Sequence, residues 1–157
     1  MSYSVPVDLD VKHMLSMLFD GLDVKAGEAP DMASPLIHFG VYIDDTDNPV
    51  ALVASDLSFA VYSSCAMTMV PAPVAEEAIK SGVLEDMMQD NLGEVMNIIS
   101  RLFMLGSTPH LKFTKTYSVT DLPEAAAQII GNAGKQAWFE VTVPRYGTGV
   151  IGFLLPA

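Results

Sequence analysis

The chain has only one cysteine, Cys65, in 157 residues, so it cannot build an internal disulfide framework, and this scarcity fits a reducing compartment. Basic residues are also scarce: 8 Lys and Arg stand against 19 Asp and Glu, giving a net charge of −11. Nucleic-acid binding requires a basic footprint, and an anionic membrane surface attracts the same kind of patch, so neither is expected as a partner. Long apolar runs are missing too. The stretch from Val50 to Met67 comes nearest, but Asp56 and several serines interrupt it, short of the roughly 18 apolar residues that a membrane span takes. Met1–Asp10 holds no basic residue and no apolar signal-sequence core. The expectation is a cytoplasmic protein with no membrane and no nucleic-acid partner.

Several chemical signatures are absent as well. His13, His38 and His110 are dispersed along the chain, away from other ligand candidates at metal-binding spacing. The acidic turn DDTDNP fails as a calcium loop, because the sixth and twelfth positions counted from Asp44 are Pro49 and Ser55 where glycine and glutamate are required. It reads as a plain turn. No Gly-x-Ser-x-Gly elbow and no Gly-rich phosphate loop is present. Cys65, among apolar neighbours, reads as a buried inert thiol. No metal site of the chain's own is expected.

What the chain has in plenty is apolar side chains, at 50% of residues, while charged residues make up only 17%, below the roughly 25% usual in soluble domains. Mean hydropathy is +0.34. Part of that apolar surface is expected to be covered by a second copy, so a homodimer is anticipated. The length suits one ordinary domain, residues 1–157, with a real core.

Periodicity and punctuation give the element order α-ββ-αα-β-α-ββ. A helix is expected over about Leu9–Leu22, then a loop over 23–35. A hairpin follows, from Leu36–Ile43 and Val50–Tyr62. Val74–Lys80 and Val83–Leu105 read as helices, with Gly106, Ser107 and Pro109 ending the second. His110–Val119 alternates as a half-buried strand. Pro123–Ile130 reads as a helix, and Ala137–Pro144 and Gly149–Leu155 as the closing strands. A helix followed by a long hairpin occurs in each half, a hint of internal repetition. The expected class is α+β, with helices packed on an antiparallel sheet.

The long helix carries the most informative pattern. Asp86, Asp90, Glu94, Asn97 and Arg101 fall within a wedge of about 80°. Leu84, Met88, Leu92, Val95, Ile99 and Leu102 take the other side. Stacking like charges at i, i+4 costs a few tenths of a kcal/mol per pair, and asparagine is a poor helix-interior residue. Choices that lose stability without local return mark candidate functional positions. The same acids in the first half of the helix, and Arg101 near its end, also suit the helix macrodipole, which is the blander account.

The segment Asp90–Ile99, DNLGEVMNII, resembles the motif helix of the CheC/CheX chemotaxis phosphatase family: an acidic residue or serine, three residues, Glu, two residues, Asn. Asp90, Glu94 and Asn97 occupy its polar positions. The family's motif runs on to a later proline, for which Pro109 and Pro123 are the nearby candidates here. The small residue that follows the family's Asn faces Ile98, Ile99, Ser100 and Arg101 here. The helix PEAAAQIIGN, read as the counterpart in the other half, has Glu124 but carries Ala127 three positions on, so one site per subunit is the most expected.

The resemblance implies a pseudo-repeated CheC-like domain that hydrolyses the aspartyl phosphate on a CheY-like response-regulator receiver domain. Asn97 would orient the attacking water and Glu94 would anchor the partner through a basic residue. Asp86, Asp90 and Arg101 would flank the docking surface. Any Mg2+ would be carried by the receiver, with no cofactor in this chain. Relatives of this family also bind partners without catalysis, so a non-catalytic interaction or scaffold module in chemotaxis or two-component signalling stands as the alternative.

Overall fold

The computed structural model describes residues 3–104 and 108–157. Along the chain run α1 (Asp8–Leu15), β1 (Asp23–Ala26), β2 (His38–Ile43), β3 (Pro49–Ser55), α2 (Leu57–Met67), α3 (Ala72–Ser81), α4 (Asp86–Ile99) with a 3-10 turn (Ser100–Phe103), β4 (Lys112–Ser118), α5 (Glu124–Gly131), β5 (Ala133–Val143) and β6 (Gly147–Pro156). The strands form one antiparallel sheet in the order β1-β5-β6-β3-β2-β4. This order is its own mirror when strands one to three are exchanged for strands four to six. An approximate two-fold axis therefore passes between β3 and β6, where Leu52 faces Leu154 and Ser55 faces Ile151. Each half lends its first strand to the other: β1 pairs with β5 and β4 with β2. The internal repetition expected from the sequence is present in this permuted form. It makes α1 the counterpart of α4, in place of α5, because α1 and α4 are the helices that precede β1 and β4.

Strand alternation sorts the core into two faces. On one, Tyr42, Val53, Val141 and Phe153 meet α1, α2, α3 and α4. On the other, Phe39, Val41, Leu52 and Leu154 meet Ala126 and Ile129 of α5.

Several expected boundaries move. The hairpin's second strand ends at Ser55, and the residues expected to continue it to Tyr62 belong to α2. The Asp56 side chain caps α2 by accepting from the Phe59 N–H at 2.8 Å, and it also accepts from the Val150 N–H at 3.0 Å. Seven of the eleven α2 residues are buried, so α2 shows no amphipathic stripe and its Phe, Val and Tyr mimic a strand. The loop expected over 23–35 opens with the short edge strand β1. The long helix is shorter than 83–105. Gly82 ends α3 in the left-handed conformation (φ 73°) and Glu85 is extended (ψ 161°), so α4 starts at Asp86. At its other end the chain tightens to 3-10 at Ser100, and the expected stop at Gly106 and Ser107 lies outside the described residues. The Asp44 turn is held by its own carboxylate, which accepts from the Thr46 N–H at 2.9 Å and the Asn48 N–H at 3.1 Å. These bonds, with the Thr46 hydroxyl foremost, lower the Asp44 pKa.

Close approach fixes two glycines of β6. A Cβ on Gly149 would stand 2.2 Å from the Phe59 backbone nitrogen, and one on Gly152 would stand 2.3 Å from the Trp138 ring on the opposite face. Gly149 thus lets the α2 N-terminus lie directly on the strand. We expect Gly149→Ala to destabilise the protein by about 3 kcal/mol, since backbone on both sides must shift. Denaturant unfolding checks this, and an unchanged midpoint would contradict the packing described.

Candidate functional site

The inner side of α4 is fully committed to the core. Met88, Leu92, Val95, Met96 and Ile99 are each 1% exposed or less, and Leu84 and Leu102, flanking the helix, are also buried. Gly40 of β2 permits this close seat, for a Cβ there would come within 3.0 Å of the Met96 sulfur. From the sheet below, the buried Tyr42 hydroxyl donates to the Met96 carbonyl at 2.5 Å. That carbonyl is available because the Ser100 N–H turns to the Asn97 carbonyl as the helix tightens; in a continuing α-helix it would bond Met96. The Ser100 hydroxyl also donates to the Asn97 carbonyl, at 2.6 Å. Burial raises the Tyr42 pKa well above the usual phenol range, so the hydroxyl remains a donor.

The outer side carries the polar stripe. Asp86, Asp90, Glu94, Asn97 and Arg101 are all exposed, which brings the expected site residues onto one ridge. Asn91, one position off the stripe, uses its amide structurally, donating to the Ser64 carbonyl at 3.0 Å and the Thr68 hydroxyl at 3.1 Å. Among the described residues, Glu94 and Asn97 make no such side-chain bond. A carboxylate and a carboxamide three positions apart are therefore both open to a partner, on a helix that buries its whole inner face.

Sequence reading passed over what lies beside Asn97. A depression of about 470 Å³ is lined there by Asn97, Ile98, Arg101 and Met104 of the helix end, by Met17 and Leu18 after α1, and by His110 and Lys112 at the start of β4. His110 has Asp45 within 3.9 Å. Arg101 and Lys112 have no acidic partner within 4.0 Å among the described residues. No single stretch of sequence signals this depression, because three distant segments build it. A larger one, about 700 Å³, lies across Leu18 and is lined by Phe19, Met67, Met69, Val70 and Tyr146 among others. It contains none of the stripe residues. No helix among the described residues is long and apolar enough to cross a membrane.

No family model matches the chain, and no curated protein matches it by sequence. Solved structures do match. CheX in the CheX–CheY–BeF3–Mg2+ complex from Borrelia burgdorferi is similar at a TM-score of 0.56 and 14% identity, covering 95% of each chain. The FliM middle domain from H. pylori is similar at 0.54 and 9%, covering 95% of this chain and 84% of that one. FliY from Thermotoga maritima is similar at 0.54 and 11%, covering 92% and 81%. The fold of this chain is thus the one shared by CheX, the FliM middle domain and FliY.

The rigidity of the ridge is measurable through its anchor. Tyr42→Phe removes the donor and leaves a buried carbonyl unsatisfied, so we expect a loss of about 1–3 kcal/mol and faster amide exchange in the last turn of α4. Unchanged stability and exchange would show that Asn97 is held by other means.

Proposed function

We propose that the protein is a phosphatase that hydrolyses the aspartyl phosphate of a CheY-like receiver domain, with Asn97 positioning water and Glu94 anchoring the partner. The observation that carries this reading is the joint exposure of Glu94 and Asn97, three positions apart, on a helix seated by its buried side. The shared fold with CheX supports it. Phosphoryl transfer proceeds through a loose transition state, so holding a water in line matters more than a strong base. A carboxamide suits that task because it both donates and accepts and carries no charge to repel phosphate. In this mechanism the Asn97 amide holds a water whose oxygen attacks phosphorus. The bond from phosphorus to the aspartyl oxygen breaks, releasing inorganic phosphate and the free carboxylate. Glu94 pairs with a basic group of the receiver, and Mg2+ belongs to the receiver. The reading places the protein in the cytoplasm.

A second reading has its own support. The likeness to the FliM middle domain, at a TM-score of 0.54, is only slightly below that to CheX, at 0.56. FliM from H. pylori is known in complex with FliG, which supports an interaction module that uses the same ridge.

Phosphorylated receiver domains from the same cell, mixed with the protein, separate the two. For the phosphatase, dephosphorylation accelerates, Asn97→Ala lowers the rate by about 100-fold, in the range seen for loss of one positioning donor, and Glu94→Ala raises KM by roughly fivefold. Thermal stability should hold or rise in Asn97→Ala, since alanine is the better helix former. A stable complex in which phosphate lifetime never changes would overturn catalysis and select the interaction module.

A further inference from the structure

We propose that the depression beside Asn97 receives an acidic, apolar-bearing segment of the same partner protein, so that the ridge reads the partner's charge polarity. The proposal rests on the reading just given. Along α4 the acids Asp86, Asp90 and Glu94 all precede Asn97, Arg101 stands beyond it in the 3-10 turn, and Lys112 at the start of β4 lines the same depression. With about 1.5 Å of rise per residue, the first acid lies roughly 16 Å before Asn97 and Arg101 about 6 Å after it. The charge sign therefore reverses at the amide.

This reversal is notable on a body of net charge −11 with only 8 Lys and Arg. Two of those bases line one depression. An acidic segment approaching elsewhere meets mostly like charge, and screening over about 8 Å confines the attraction to contacts near the two cations. Apolar walls from Leu18, Ile98 and Met104, with Met17 at 69% exposure, give the occupant's side chains a surface that adapts to shape.

The arrangement has a geometric consequence for the proposed chemistry. A single contact at Glu94 leaves the partner free to rotate about that point. A second contact of opposite sign, on the other side of Asn97, fixes the rotation and keeps the phosphorus in line with the held water. Arg101 and Lys112 are positioning residues in this scheme.

The test uses the full chain and, in phosphorylated form, a receiver domain from the same cell on which the preceding assay shows an effect. Arg101→Glu with Lys112→Glu is expected to raise Kd at least tenfold and to flatten the dependence of Kd on salt. Lys80→Glu with Lys135→Glu makes the same change in net charge away from the groove, and should leave Kd within twofold. Arg101→Gln with Lys112→Gln, expected to show a smaller rise, guards against misfolding of the reversed pair, and melting curves check all three. An equal loss in the groove and control pairs would reduce the effect to net charge and overturn the proposal. Unchanged Kd in the groove pair, while Glu94→Ala still weakens binding, would overturn the groove and leave the phosphatase reading standing. A wild-type protein that binds no receiver would overturn both.

Discussion

The hydrogen bond from the buried Tyr42 hydroxyl of β2 to the Met96 carbonyl ties the sheet to the last turn of α4, and the geometry of the ridge depends on it. Helix ends fray because their final carbonyls lack intrahelical partners. Here the helix tightens at Ser100, which frees one carbonyl, and a side chain 54 residues away in sequence takes it. The Asn97 backbone sits between that bond and the Ser100 hydroxyl. An amide meant to hold a water in one direction needs a backbone that does not wander. A rigid sheet therefore underlies a side chain that itself stands in solvent.

Much of this was legible in the sequence, and the misses have physical causes. The α4 stripe could be read because one side of that helix is buried and the other wet, so the pattern has a period. Every apolar position assigned inward, from Leu84 to Leu102, is buried. Helix α2 could not be read the same way. Sheet and helix cover most of its surface, periodicity vanishes, and only Asp56, a capping residue just before the apolar run, signals a helix start. The strand β1 is four residues long and owes its register to β5, more than 100 residues away. The groove beside Asn97 is legible nowhere, since residues 17–18, 97–104 and 110–112 meet only in the folded chain.

Two asparagines on one helix show why residue type alone does not mark function. Asn91 and Asn97 have the same low helix propensity, yet one amide bridges α4 to α2 and the other faces solvent. The first recovers in tertiary bonding what it loses in helix stability. The second has no such return within the chain, which makes it a candidate for contact with something outside it. Cys65 shows the opposite case: burial first, and then the charge of Glu85, raises its pKa, so the thiol is held inert and stays a packing residue.

The exchange of edge strands also bears on how the protein is made. The last strand, β6, occupies the middle of the sheet between β5 and β3, and the first, β1, attaches only to β5. The sheet cannot close until β6, Gly147–Pro156, has joined β5 to β3. Ribosomal synthesis at roughly 5–20 residues per second leaves the β2–β3 hairpin with one open edge for several seconds. Chain topology thus imposes a waiting period during which the apolar β3 must be kept from pairing with neighbouring chains, by speed of synthesis or by a chaperone. A split of the protein into two fragments at its midpoint would leave each piece missing an edge that only the other can supply.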